Sequence, residues 1–359
     1  MADETRPGRA PTAEDVARLA GVHRSAVSRT FTPGASVAPQ TREKVLEAAA
    51  TLGYRVNFLA RSLSHQRSNL VGLVVSDIDN PFRAQLLAEL GTSLVASGYR
   101  PLLLPTERGG KVARHIDMML HYNVAGAIVT DDASPAEIAR QCADHGVPLV
   151  LINKRPVSDT VLNVSMDTEA AGELAARALF DAGCRRVALA SQRRSSHSIS
   201  LRRSAFWRAC ERLGIEIAGE YFGDLPNYQG GRAAADAFLS DPADVDGIYC
   251  ANDYLALGFI DTIRHLSPLS IPGDLKLVAC DDIPEAGWLA YDLTTVRQDP
   301  VRTADAAVNG LLARISEPDT VAPPVVVDVH LVERGSTTLV PPGPPAPPPQ
   351  GLKADQPPS

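Results

Sequence analysis

TAEDVARLAGVHRSAVSRTF, residues 12–31, decides how the rest of the chain is read. Thr12 has the hydroxyl of a helix cap, and Asp15, three positions on, is its acidic partner. Val16, Leu19 and Ala20 follow at helical spacing and predict a buried stripe. Gly21 makes a turn and Val22 joins the same small core. A second helix from about Arg24 to Phe31 then carries Val27 inward and Arg24, Ser25, Ser28 and Arg29 outward. Two short helices at a tight turn form a helix-turn-helix. Its second helix is short and polar-faced, as a helix must be to enter a major groove and offer donors to base edges and phosphates. An ordinary helical hairpin is the alternative when this stretch is read alone.

The flanking sequence narrows the choice. Residues 1–10 predict a disordered lead. After the loop PGASVAPQ, the stretch TREKVLEAAATLG predicts a third helix with Val45, Leu46, Ala49 and Leu52 on one face and Gly53 at its end. Three helices over residues 11–56 make a minimal head that buries little surface. Residues 1–67 hold ten Lys/Arg against six acids, a net of +4, in a chain of net −7. A basic head on an acidic body suits a protein that meets polyphosphate at one end only.

Next comes NFLARSL, a helix-forming segment too short to be stable alone. In order and spacing, DVARLAGV, AVSR, TREKVLEAAATLGY and NFLARSL resemble the DNA-binding head and hinge of the lactose-repressor (LacI/GalR) family of bacterial transcription regulators, and the resemblance continues to about residue 340. It implies a hinge helix within 57–68 that forms on the operator, with Asn57, Ala60 and Leu63 at the DNA. Leu63 matches the family leucine that wedges into a central minor-groove step, where unstacking is repaid by the bent complex. The alternative for Leu63 is a linker residue covered by the body.

From Leu70 onward the pattern changes to apolar strands alternating with helices: LVGLVVS, RPLLLP, VAGAIVT and VPLVLIN are separated by helical segments. The alternation restarts at Asp167 through RRVALAS, DGIYCAND and DLKLVACDD. Short strands spaced by helices predict parallel sheets with right-handed crossovers, and the restart predicts two similar lobes. The resemblance implies a whole-chain architecture: an all-α helix-turn-helix head joined by a hinge helix to an α/β two-lobed periplasmic-binding-protein-like core over 69–340. In that core the chain crosses between lobes near Val164, Thr295 and Pro323, giving lobe 1 as 69–164 with 296–322 and lobe 2 as 165–295 with 323–340. The proline-rich 341–359 predicts a disordered tail.

Two such lobes bind small molecules between them, at the carboxyl ends of strands. Asp77, Asn80, Phe82 and Arg83 follow the first body strand; the family pattern DI.NPFF reads DIDNPFR here, so a guanidinium replaces a stacking face and favours an anionic or hydroxyl-rich effector. Asp167 matches a family acid after the crossing strand, and Arg202 matches the family arginine of RL.GF, although Arg203 and Ala205 depart from that pattern. Asn252 and Asp253 match AND..A.G, and Asp281 matches G.DD.P. Paired acceptors with an Asn grip sugar hydroxyls, and Phe82 with Trp288 could cover a ring. Helix capping and turn formation are the competing roles for each of these Asx residues.

The reading head departs from the family at several positions. His23 stands where Ser or Thr caps the recognition helix, which predicts a lost cap or a phosphate contact. Arg24 and Ser25 occupy the base-reading positions, and Arg24 suits guanine O6 and N7. Ala26 replaces a Thr, Ala38 the usual cap of the third helix, and Val56 a Pro before the hinge.

Composition and motifs exclude much else. At 359 residues the chain suits two or three domains, and no apolar run reaches the length of a membrane span. The polar N-terminus predicts no signal peptide, hence a cytoplasmic, nucleoid-associated protein. Five widely spaced cysteines predict buried free thiols. There is no G.S.G elbow, GxxxxGK[ST] loop, GxGxxG fingerprint or HExxH, so neither an enzyme nor a cofactor or metal site is expected. A transporter's solute-binding protein would share the body but lack the basic head, and a sugar-modifying enzyme would need a catalytic set. The reading is a homodimeric repressor with double-stranded operator DNA and a small effector, a carbohydrate or its derivative, as partners.

Overall fold

The computed structural model describes residues 10–32, 34–55, 68–106, 113–130, 135–194, 196–318, 321 and 323–338. The chain divides into two units, 1–68 and 69–359. The hinge residues Asn57, Ala60 and Leu63, together with Val56 and the tail 341–359, lie outside the described residues.

The first unit holds α1 (Ala13–Ala20), α2 (Arg24–Thr30) and α3 (Pro39–Leu52). Thr12 and Asp15 cap α1 reciprocally: the Thr12 hydroxyl accepts from the Asp15 N–H at 3.3 Å, and the Thr12 N–H donates to the Asp15 carboxylate at 2.9 Å. Gly21 ends α1 in the left-handed region at φ 64°, and the Val22 N–H returns to the Ala17 carbonyl at 3.0 Å. The core is Val16, Ala17, Val27, Val45, Ala48 and Ala49. Leu19 and Leu46 do not belong to it, being 53% and 47% exposed. In helices this short, small alanines let the backbones approach, so Ala17 takes the place expected of Leu19 and Ala48 that of Leu46. Ala38 provides α3 with no side-chain cap, and Pro39 opens the helix two residues before its expected start at Thr41.

The second unit is built on two six-stranded sheets. In chain order its elements are β1 (Leu70–Ser76), α4 (Pro81–Ala96), β2 (Arg100–Thr106), α5 (Ala113–His121), β3 (Gly126–Val129), α6 (Pro135–Asp144), β4 (Leu149–Ile152) and β5 (Leu162–Met166). There follow α7 (Thr168–Asp181), β6 (Arg186–Gln192), α8 (His197–Leu213), β7 (Glu216–Gly223), α9 (Tyr228–Ser240), β8 (Gly247–Cys250), α10 (Asp253–Leu266) and β9 (Lys276–Asp281). The last are β10 (Thr294–Gln298), α11 (Pro300–Ser316), β11 (Val325–Val327) and β12 (Val329–Val332).

The first sheet has the order β11-β5-β4-β3-β1-β2 and the second β12-β10-β9-β8-β6-β7. All pairings are parallel except β10 with β12. Strand residues alternate between two packed faces, as a doubly covered sheet demands. Val71, Leu73 and Val75 pack with Phe82, Leu86 and Leu90 of α4 and with α11, while Val74 packs with Ile116 of α5 and Ile138 of α6.

Each crossing between lobes falls later than expected. Strand β5 runs to Met166 in the first sheet, β10 pairs with β9 through Gln298 in the second, and β11 pairs with β5 in the first. Thus Val296–Gln298 stay in lobe 2 and Val325–Val327 belong to lobe 1, because a strand completes its ladder before the chain turns away. An aspartate stands at every turn: Asp167 caps α7, Asp299 caps α11, and Asp328 separates β11 from β12.

Candidate functional site

Within the head, the recognition helix α2 is two-faced. Ala26, Val27 and Thr30 are buried, whereas Arg24, Ser25, Ser28 and Arg29 are exposed. The Thr30 hydroxyl is satisfied internally by the Ala26 carbonyl at 2.9 Å, and Arg42 of α3 donates to the Thr30 carbonyl at 3.1 Å, fixing the end of α2. The cap expected to be missing is present. His23 Nδ1 accepts from the Ser25 N–H at 3.2 Å, so the imidazole does the work of a hydroxyl. Arg29 Nε donates to the Ser25 carbonyl at 3.3 Å, whereas neither the Arg24 side chain nor the Ser28 hydroxyl bonds within the described residues.

In the body, the carboxyl ends of both sheets carry the polar residues. Arg202 of α8 donates to Asp281, at the end of β9, at 2.9 Å, and both side chains are almost fully buried. Arg202 also donates to the Ala251 carbonyl at 3.1 Å, and Gln298 donates to the same Asp281 oxygen at 2.5 Å. From lobe 1, Asn153 donates to the Gln298 amide oxygen at 3.3 Å while accepting from the Met166 N–H at 3.0 Å. One hydrogen-bonded chain therefore runs across the cleft from Asn153 to Arg202.

Backbone strain gathers at the same place. Asp77 has φ 49°, Asn153 φ 56°, Asp281 φ 142° and Asp282 φ 58°. Non-glycine residues held in this region cost of order 1–3 kcal/mol each and cluster at functional sites. Adjacent Asp281 and Asp282 diverge, Asp282 meeting Arg334 at 2.7 Å, so they form no carboxylate pair.

The remaining expected cleft residues divide by role. Asn80, Asp167 and Asn252 cap α4, α7 and α10 with their side chains. A strand that ends where a helix begins needs such a cap, which places these residues at the cleft rim. Arg83 folds back onto the end of β1, donating to the Ser76 carbonyl at 3.0 Å and meeting Asp77 at 3.3 Å. Phe82 is buried in the lobe 1 core at 6% exposure and leaves little ring face for a ligand, whereas Trp288 is exposed.

Asp253 does not reach the cleft. It is fully buried, accepting from the Thr295 hydroxyl at 2.6 Å and the Ile283 N–H at 3.0 Å, and so ties α10 to β10. Burial pushes its carboxyl up to about 8, with the Asp281 charge adding to this and the two hydrogen bonds opposing it. Burial also raises Asp281, against the opposing pull of Arg202 and Gln298. Sequence reasoning passed over Asn153 and Gln298, which join the network across the cleft. Both stand at or just past the carboxyl end of a strand, and that position was the available signal.

Residues 12–57 match the family of bacterial regulatory proteins, lacI family, and residues 176–337 match the periplasmic binding protein-like domain. The HTH-type transcriptional regulator reg1 of Streptomyces lividans is 31% identical over 339 residues, which span 91% of this chain and 96% of that protein. The chain belongs to the LacI family. As a LacI-family regulator it also resembles the ribose operon repressor of Escherichia coli, 28% identical over 330 residues spanning 90% of this chain and 99% of that one. Among solved structures, the lac repressor dimer bound to operator and the anti-inducer ONPF superposes with a TM-score of 0.83 at 27% identity, covering 92% of this chain and 100% of that one. The LacI-family head and the two-sheet α/β core are thus those of a transcriptional regulator. Among the described residues no helix is long and apolar enough to cross a membrane.

Proposed function

We propose that this LacI-family regulator is a cytoplasmic repressor that binds a pseudo-palindromic operator as a homodimer and is controlled by a small effector, a sugar or sugar derivative, in the inter-lobe cleft. The observation that carries the reading is the hydrogen-bonded chain from Asn153 through Gln298 and Asp281 to Arg202, which links the two lobes at the strand ends. A ligand that competes for those donors and acceptors would change how the lobes sit, and a change in lobe orientation is the usual route to a reciprocal coupling between two sites.

Thr12, His23, Arg24, Ser25, Ser28 and Arg29 would contact the operator, together with Asn57, Ala60 and Leu63 of the hinge. The exposure of four of these on one face of α2 supports the assignment. Asp77, Asn80, Arg83, Asp167, Arg202, Asn252 and Asp281 would form or frame the effector site. The test is a thermal-shift panel of sugars, sugar phosphates and nucleobases on the purified protein, combined with footprinting on the DNA upstream of its own gene. Protection of a two-fold symmetric site, altered by a ligand that shifts the melting temperature, is expected. Uniform binding to any DNA would contradict the reading.

A further inference from the structure

The bond with which His23 caps α2 also fixes where the next hydroxyl sends its proton. A backbone N–H can only donate, so the 3.2 Å bond from the Ser25 N–H makes His23 Nδ1 an acceptor and puts the one proton of the neutral ring on Nε2. Ser25 Oγ stands 2.9 Å from the same Nδ1. Two acceptors cannot share a hydrogen bond, so the Ser25 hydroxyl is the donor and its only proton is committed to the imidazole. Its lone pairs are what it has left to offer.

Ser25 is the second residue of α2 and is exposed. Recognition helices meet base edges with their N-terminal residues. Arg24, beside it, is also exposed and carries donors only, so neighbouring residues present opposite polarity. A free serine hydroxyl serves any base edge, because it donates and accepts alike. One that already donates to Nδ1 suits the amino groups, adenine N6 and cytosine N4, and not guanine N7 and O6 or thymine O4, which are acceptors themselves. To donate to a base the hydroxyl must break with His23. Accepting from an amino group keeps that bond and strengthens it, since hydrogen bonds in series polarise one another.

We propose that Ser25, held by His23 as an acceptor, selects an adenine or cytosine amino group in the major groove of the operator, with His23 as the positioning residue that sets this selectivity. The inference rests on α2 reading DNA, as proposed above, and adds the class of base edge that one position takes. Serine alone makes no such choice; the imidazole two residues before it does.

The test uses the full chain. A preferred duplex is selected from a pool of randomised double-stranded DNA, and fluorescence anisotropy then measures affinity for all four bases at each position with the parent, Ser25→Ala, His23→Ala and the double variant. At the base pair whose preference Ser25→Ala removes, the parent should favour adenine or cytosine on the contacted strand over guanine or thymine by about fivefold or more, the scale of one mismatched pair. Purine in place of adenine, or pyrimidinone in place of cytosine, deletes the amino group and should cost the parent a similar factor. In His23→Ala, a loosened helix lowers affinity for every duplex alike, whereas release of the hydroxyl brings the four bases toward parity at that position only. Once Ser25 is alanine, His23→Ala should leave every base preference unchanged. The proposal is overturned if that position favours guanine or thymine, if Ser25→Ala alters no base preference, if deleting the amino group costs nothing, or if His23→Ala weakens all duplexes by one common factor. A pool that yields no preferred duplex contradicts the operator reading itself. A selected duplex that loses affinity with Arg24→Ala yet shows no amino-group preference overturns this inference alone.

Discussion

Arg202 and Asp281 meet at 2.9 Å with both side chains more than nine-tenths buried. The pair joins α8 to the end of β9, and through Gln298 it reaches the last residue before the chain leaves lobe 2. Removing one member strands the other charge in a low-dielectric interior, which typically costs about 3–5 kcal/mol. Arg202→Leu is therefore expected to lower the urea midpoint markedly. Combining it with Asp281→Asn should recover a large part of the loss, since no buried charge is then left unpaired. Equal stability of the single and double variants would contradict the pairing.

Asp253 gives a pH dependence of known sign. The unfolded carboxyl ionises above 3.8, whereas the folded one stays protonated to about 8. The unfolded state therefore binds fewer protons across that window, and stability is lost as pH rises, by at most about 1.4 kcal/mol per pH unit. Asp253→Asn does not titrate, and its amide can accept from the Ile283 N–H while donating to the Thr295 hydroxyl. The variant should gain on the parent steadily between pH 5 and 8 in denaturation experiments. A constant difference across that range would place the raised carboxyl elsewhere.

His23 caps α2 with an aromatic nitrogen. His23→Ala should loosen the recognition helix by about 1 kcal/mol, and His23→Ser should restore it. Hydrogen exchange of the α2 amides in the full chain reads this directly. Faster exchange in both variants would mean that the imidazole has another role.

Helices α9 and α10 touch through two glycines. A Cβ on Gly231 would stand 1.8 Å from the Leu255 carbonyl oxygen, and one on Gly258 would stand 1.9 Å from that of Tyr228. Backbone cannot yield as a flexible side chain can, so Gly258→Ala should cost at least the roughly 1–3 kcal/mol of ordinary overpacking. A melting temperature unchanged from the parent would show that the helices can separate freely.

The strand-helix alternation after Leu70 is legible because burial on both faces of a parallel sheet writes nearly continuous apolar runs. The cap of α1 is legible too, since Thr12 and Asp15 lie three apart. Leu19 and Leu46 mislead because periodicity marks an apolar face without saying whether a larger residue or a neighbouring alanine fills the core. The lobe crossings shift because nothing in the local sequence of Val296–Gln298 or Val325–Val327 says which sheet they join, and only the ladder does. Asp253 reads like its neighbour Asn252, yet one residue turns the side chain from the rim into the interior. The bond between Asn153 and Gln298 depends on two lobes facing each other, which no local pattern encodes.

The central claim is a DNA-reading head whose affinity a cleft ligand controls. Fluorescence anisotropy with DNA from upstream of the gene, at one fixed salt concentration and with and without the ligand found by thermal shift, tests it most directly. The account predicts a site bound at least about a thousandfold more tightly than random DNA. It predicts that Arg24→Ala costs about 1–3 kcal/mol on that site and far less on random sequence. It also predicts that the ligand changes site affinity by about fivefold or more, an effect lost in Arg202→Leu. Equal affinity for site and random DNA, or site affinity unmoved by a ligand bound in the cleft, would contradict it.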